Sequence, residues 1–272
     1  MHDIKTIDFT ETDQRVEEVT RLFSPISLAE MDAVKLLDRF DTKFVFQTRD
    51  LATFLEQAKP FYRILEVEKH LVFQYITQYF DTPEFEMYLN HHNQKLNRFK
   101  VRKREYCTTG EFFFEIKFKS NKGRTRKTRI QVENPSIILN KDEKTFLKQN
   151  SPYKAKILEP KLLNQFRRIT LVHKTDHERV TLDFDLGFHL GNNFVNLPFL
   201  SIAEIKKERL SGTSDLGMIL KKENILPMKF SKYCMGSVLL NDQLKYNRFK
   251  TKLLTLNRLK NDSIYSSSFV GL

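Results

Sequence analysis

Apolar and polar residues alternate with a period of two over eight stretches of the chain, at about 39–46, 70–81, 97–107, 111–119, 126–133, 166–173, 179–186 and 200–208. That period belongs to strands with one face buried. Helical spacing fills the intervals at 13–23, 28–37, 49–58 behind Thr48, 137–149, 213–223 behind Thr213 or Ser214, 232–240 behind Ser231, and 242–258. The hydroxyl residues named are candidate N-caps. Short polar turns, Thr108-Thr109-Gly110 and Lys174-Thr175-Asp176-His177-Glu178, join successive strands at hairpin spacing, which implies antiparallel pairing. The predicted class is α+β: an antiparallel closed β-barrel of about eight strands with helices packed outside. One domain is expected over 1–260, with a flexible tail over 261–272.

Strand parity separates two chemistries. Arg98, Lys100, Arg102 and Arg104 share one side of the third stretch. In the fourth, Phe112, Phe114, Ile116 and Phe118 oppose Glu115, Lys117 and Lys119; in the fifth, Thr128, Ile130 and Val132 oppose Lys127, Arg129 and Gln131. Ile169 and Leu171 then oppose Arg168 and Thr170, and Val180, Leu182, Phe184 and Leu186 oppose Arg179, Thr181, Asp183 and Asp185. A solvated sheet face mixes polar types, whereas aligned like charges repel unless a multivalent anion lies among them. In a closed barrel with the apolar face outward under helices, the ionic face becomes the wall of a tunnel suited to a linear polyphosphate-like ligand.

Charge sharpens this picture. The 272 residues carry 46 Lys and Arg against 34 Asp and Glu, a net charge of +12. Thirteen of those cations and only three Glu fall between Lys95 and Arg129. Such concentration fits a polyanion: nucleic acid, an anionic membrane surface or a phosphate-rich small molecule. Phe112 and Phe114 face away from the cations and so belong to the core rather than to base-stacking platforms, which argues against nucleic acid.

No apolar run exceeds three residues, far short of the roughly 20 of a membrane-spanning helix, so no transmembrane segment is expected. The acidic start, Met1-His2-Asp3, lacks the apolar stretch of a signal peptide, and Cys107 and Cys234 are too few for a disulfide framework. A cytoplasmic location is expected. No P-loop, His-Glu-x-x-His or Gly-x-Ser-x-Gly is present, so phosphates must be held by side chains. His91-His92 and the pair His173/His177 are the only histidine groupings.

Several short motifs, in order, resemble the VTC domain, the polyphosphate polymerase domain of the vacuolar transporter chaperone complex and its stand-alone bacterial relatives. They are Arg39-Phe40-Asp41-Thr42-Lys43, Tyr79-Phe80-Asp81-Thr82-Pro83 followed by Tyr88, Asn97 to Tyr106, and Glu115-Ile116-Lys117. Arg167-Arg168-Ile169-Thr170, Arg179-Val180-Thr181-Leu182-Asp183, Ala203-Glu204-Ile205-Lys206 and Lys229-Phe230-Ser231-Lys232-Tyr233 complete the set. The resemblance implies a triphosphate-tunnel fold and metal-dependent transfer of the terminal phosphate of ATP to a growing polyphosphate chain, with Mn2+ or Mg2+ as cofactor. It implies Lys43, Arg102, Arg104, Lys117, Arg168 and Lys232 as catalytic phosphate contacts. Arg39, Lys127, Arg129, Arg179 and Lys229 would be further phosphate-binding residues, and Glu204 the metal ligand.

Tunnel triphosphatases and adenylate cyclases open with Glu-x-Glu-x-Lys, whereas here Arg39-x-Asp41-x-Lys43 replaces the first Glu with Arg, which favours fewer metals and a longer anion. Three alternatives accompany this reading: a tunnel triphosphatase, a non-catalytic polyphosphate or inositol-phosphate module, and a basic RNA-binding domain.

Overall fold

The computed structural model describes residues 11–33, 39–133, 136–208 and 212–267. Among these the chain begins α1 (Glu11–Thr20), β1 (Pro25–Ile26), α2 (Leu28–Ala33), β2 (Arg39–Gln47), α3 (Leu51–Ala58), β3 (Tyr62–Leu65), β4 (Val72–Asp81) and α4 (Glu86–His92). It continues β5 (Arg98–Tyr106), β6 (Glu111–Lys119), β7 (Thr125–Val132), α5 (Lys141–Asn150), β8 (Glu159–His173) and β9 (Glu178–Leu190). The last elements are β10 (Asn193–Leu197), β11 (Leu200–Glu208), α6 (Asp215–Lys222), α7 (Lys232–Leu240) and α8 (Lys250–Ser267). Each alternating stretch of the sequence forms a strand, and β8 and β9 run longer than their clean alternation. Residues 34–37 of the helix expected at 28–37, residue 38 after it, and residues 268–272 of the expected tail lie outside the described residues.

The chain divides into two compact units, and the long strands β8 and β9 contribute to both. One unit takes the described residues of Met1–Val72, Ile169–Asp183 and Phe199–Lys229. Its strands follow the order β2–β11–β9–β8–β3–β1, antiparallel where β2, β11 and β9 meet and parallel between β1 and β3. Register sets Lys43, Glu204 and Thr181 in one row, with Asp41, Lys206 and Arg179 in the next. Helix α3 packs between α1 and α6 and buries Leu51, Phe54 and Leu55. Thr48, expected as its cap, sits instead in a 3₁₀ turn and accepts a hydrogen bond from Ser201 Oγ at 3.1 Å.

The other unit takes Phe73–Arg168, Phe184–Pro198 and the described residues of Phe230–Leu272. Here β8 is followed by β4, β5, β6 and β7, and β10 pairs with β9. Val101, Phe114, Ile116 and Val132 bury one sheet face against Leu139, Leu147 and Tyr153, so the apolar side of the alternation is the core side. Lys103 also lies on that face, and Glu143 of α5 neutralises it at 2.7 Å. Asn140 and Glu143 close a reciprocal capping box at the start of α5.

The hydrogen-bonded strand path has two ends, β2 and β7. The closed ladder expected from the sequence is therefore not made by backbone hydrogen bonds among the described residues, and the observed class is α+β with an antiparallel sheet. Strand β7 explains its own end position: Arg126, Arg129 and Gln131 are exposed along it, and Lys127 keeps 34% of its side chain in solvent while its ammonium turns in toward Glu115, the charged dressing that blunts a sheet edge. Among the described residues no helix is long and apolar enough to cross a membrane.

Candidate phosphate-binding site

Directly opposed residues of antiparallel strands point to the same face, so register converts the parity pattern into rows. In the second unit one row reads Thr77, Arg104, Phe113, Gln131; the next Tyr79, Arg102, Glu115, Arg129; the next Lys100, Lys117, Lys127. The ionic face is thus a grid of six cations, Arg104, Arg102, Arg129, Lys100, Lys117 and Lys127, with one carboxylate inside these rows. That carboxylate, Glu115, is fully buried and accepts from Arg102 Nε at 2.7 Å while also pairing with Lys127.

A second convergence lies along β8 and α7. The buried ring of Phe166 has the Lys232 ammonium 4.1 Å from its centroid, the Arg168 guanidinium at 5.2 Å and the Arg104 guanidinium at 5.6 Å. Tyr75 stacks on the same ring at 5.3 Å and carries Arg104 and Arg168 over its own face. Aromatic faces stabilise cations without neutralising them. Arg104 Nε also donates to Thr77 Oγ1 at 3.1 Å, fixing the direction of its fork.

Electrostatics follow from this crowding. Burial opposes the charge of Arg102, but Glu115 and Tyr79 more than offset it, so its pKa rises above the ordinary guanidinium value. Burial lowers that of Arg104, and the neighbouring Arg102 and Arg168 lower it further. Burial likewise depresses Lys100. It brings Lys127 down to about 8, although Glu115 pulls the other way. Burial raises Glu115, yet Arg102, Arg104 and Lys127 hold it well below the carboxylate range. Like-charged groups pressed together in this way favour whichever state brings an anion among them.

The frame that aims these groups is polar and close-packed. Asp81, at the end of β4, accepts from the backbone N–H groups of Met87 at 2.8 Å and Tyr88 at 2.9 Å, which starts α4. It also accepts from the Tyr233 hydroxyl and so ties down α7 beside Lys232. Tyr233 stacks on Tyr79, and Ser231 caps α7 while accepting from Lys100 Nζ at 2.9 Å. α4 escapes local sequence reading because its cap comes from Asp81 and its preceding residue, Phe85, takes φ +57°.

The first unit holds the remaining residues singled out in the sequence. Lys43 pairs with Glu204, whose other oxygen lies 3.5 Å from Lys206. Arg179 donates to the Met31 carbonyl at 2.7 Å, and Lys229 is exposed. The Arg39 side chain lies outside the described residues, although its backbone is paired in β2.

Among the described residues no group of three or more His, Cys, Asp or Glu could hold a metal. Glu204 supplies one carboxylate beside two ammonium groups, so its surroundings fit a hard cation only if that ion brings phosphate and water oxygens with it. His173 accepts from the Asp176 N–H through Nδ1 and faces Asp215 through Nε2, and His177 faces Glu208, so these two rings serve separate polar contacts.

Sequence reasoning left Lys100, Glu115, Tyr75, Tyr79 and Phe166 out of the site. The parity of Lys100 with Arg102 carried its signal. Phe166 shares the parity of Arg168, but an aromatic among apolar residues reads as core.

No curated protein matches the chain in sequence. Among solved structures, a candidate adenylate cyclase from Vibrio parahaemolyticus is similar at a TM-score of 0.44 and 13% identity, over 73% of this chain and 99% of its own. A candidate adenylate cyclase from Bacillus halodurans gives 0.44 and 14%, over 78% and 97%. A candidate adenylyl cyclase from Hippeastrum, described as having a dominant triphosphatase activity, gives 0.43 and 13%, over 75% and 97%. The VTC domain family profile matches residues 38–241, three quarters of the chain and every motif quoted above, and the chain belongs to the VTC domain family.

Proposed function

We propose that the chain is a polyphosphate polymerase, a phosphotransferase that moves the terminal phosphate of ATP onto a growing inorganic polyphosphate chain with Mn2+ or Mg2+. The observation that supports it best is the convergence of Arg104, Arg168 and Lys232 on Phe166, beside the Arg102–Glu115–Lys127 row. Family membership supports it independently.

Phosphoryl transfer needs positioning and charge neutralisation more than covalent help. In this reading Arg102, Arg104 and Arg168 grip phosphate oxygens through planar forks, and Lys117 and Lys232 add point charges. Lys127 and Arg129 are further phosphate contacts on β7. In the first unit Lys43 is a catalytic phosphate contact, Arg39, Arg179 and Lys229 bind phosphate, and Glu204 holds the metal. A bound divalent ion supplies charge neutralisation on the phosphate oxygens. The attacking group is the chain end's own phosphate oxygen, so no protein nucleophile is required. Incubation with ATP and Mn2+ followed by gel staining for polyphosphate tests the proposal: a ladder of polymer supports it, and phosphate release without polymer replaces it with a triphosphatase.

A further inference from the structure

The ionic face of β5–β6–β7 does not end at the rows that would grip a triphosphate. Beyond Lys100, Lys117 and Lys127 the next row places Arg98 opposite Lys119, and the β6–β7 turn then adds Lys122 and Arg124. Along this direction the cations change from buried to open: Arg102 and Arg104 are 7% exposed, the Lys127 side chain 34%, and Lys119, Lys122 and Arg124 are exposed. The opposite end of the same face has the reverse character. Tyr75, Tyr106 and Glu111 form its last row, and Glu111 accepts from Thr109 Oγ1 at 3.0 Å.

The basic turn is also built rather than loose. Ser120 donates its N–H to the Arg124 carbonyl at 2.9 Å, Asn121 N–H donates to Asn97 Oδ1 at 3.0 Å, and Gly123 supplies the φ of +76° that the turn needs. Arg98 is held by donation to the Lys95 carbonyl at 2.9 Å.

We infer that Arg98, Lys119, Lys122 and Arg124 form an outer track for the polyphosphate chain beyond its reacting end, so that the polymer leaves the site toward the β6–β7 turn. The inference rests on the proposed polymerase reading and gives it a direction. Three two-residue steps, at about 3.3 Å per residue, separate the Arg104 row from the Arg98 row. A triphosphate, with two P–O–P links, cannot bridge them; a longer chain can. The outer cations therefore act on chain length and not on triphosphate binding itself. Phosphates directed the other way would meet Glu111 and the tyrosines.

The test compares the protein with the combined variant Lys119→Gln, Lys122→Gln, Arg124→Gln. These exposed side chains are not those that close the turn, since the Arg124 contribution to it is its carbonyl. Dissociation constants are measured for triphosphate, for polyphosphate of tens of phosphates, and for single-stranded RNA of equal phosphate content. The expected result is that the unaltered protein prefers the long chain to triphosphate. The variant should lose about tenfold in long-chain affinity, the sum of three exposed ion pairs, with triphosphate affinity within about twofold. Equal long-chain affinity in the two proteins, or a parallel loss for triphosphate, overturns the track. RNA binding as tight as polyphosphate overturns it in favour of a general polyanion surface. If the unaltered protein binds no triphosphate, the polymerase reading falls and the track with it; triphosphate binding without chain-length preference removes the track alone.

Discussion

Glu115 of β6 lies directly opposite Arg102 of β5 and accepts from its Nε at 2.7 Å, and the same carboxylate pairs with Lys127 of β7. It is the internal counter-ion of the grid, fully buried while the cations around it outnumber it. In the absence of ligand, that one carboxylate limits the repulsion among them.

Glu115→Gln keeps the shape and removes the charge. Breaking a buried pair by neutralising one partner costs about 3–5 kcal/mol, because the other charge stays buried. The urea midpoint of the variant should drop accordingly, and saturating triphosphate should restore part of the loss by replacing the missing negative charge. An unchanged midpoint would show that Glu115 carries little of the balance. Arg102→Ala has the mirror-image fault, since it takes one paired cation from the buried Glu115 and leaves Lys127 paired with it, and so it mixes stability with affinity.

Lys127 gives the site a pH signature. Its pKa in the folded protein is about 8, below the ordinary lysine value of 10.5, chiefly through burial. The sign follows from linkage: its charged form disfavours the folded state below about pH 8, and that cost is relieved as pH rises from 8 toward the unfolded value. A bound polyanion reverses the preference by drawing the proton back. Triphosphate binding should therefore take up a proton above pH 8 and weaken as pH rises further, which calorimetry in buffers of different ionisation enthalpy measures. Lys127→Arg, which stays charged, should flatten the dependence; an unaltered pH profile in that variant would contradict the assignment.

Most of the sheet was legible because Phe and Ile alternate with Lys and Arg in β5, β6 and β7, and a period of two has one structural reading. The first half of β8 was not, since Pro160 and Asn164 interrupt the pattern; Asn164 is buried and donates to the Gly187 carbonyl at 3.0 Å. The four residues of β3 are too few to show a period. α4 was hidden because Asp81 caps it from a strand. Within the candidate site, the cations of the grid were visible by parity. Phe166 was not, because a ring that supports three cations and a ring that fills a core look alike in sequence.

Gly236 tests how closely α7 must approach the sheet to hold Lys232. A Cβ there would lie 2.4 Å from Phe188 Cδ1 and 2.8 Å from Leu162 Cδ2. Gly236→Ala should cost about 1–3 kcal/mol by overpacking, and triphosphate affinity should fall as the start of α7 shifts. Thermal melts and binding titrations read the two effects, and a variant that matches the parent in both would mean the helix has slack.

Glu204 carries two readings that one variant separates. As an ion-pair partner of Lys43 it is structural; as a metal ligand it acts only in turnover. Glu204→Gln should leave the fold within about 1 kcal/mol, the scale of a partly exposed pair, while raising the Mn2+ concentration needed for half-maximal activity. Near-normal activity at low Mn2+ would leave Glu204 with the structural role alone.

The central claim is transfer to a phosphate chain, and phosphorus NMR of a reaction with ATP and Mn2+ tests it most directly. A polymerase converts the terminal phosphate of ATP into interior chain phosphates, whose resonance grows as ADP appears, and Arg168→Ala should suppress both signals together. Growth of orthophosphate alone, with no interior resonance at any time, would contradict the account.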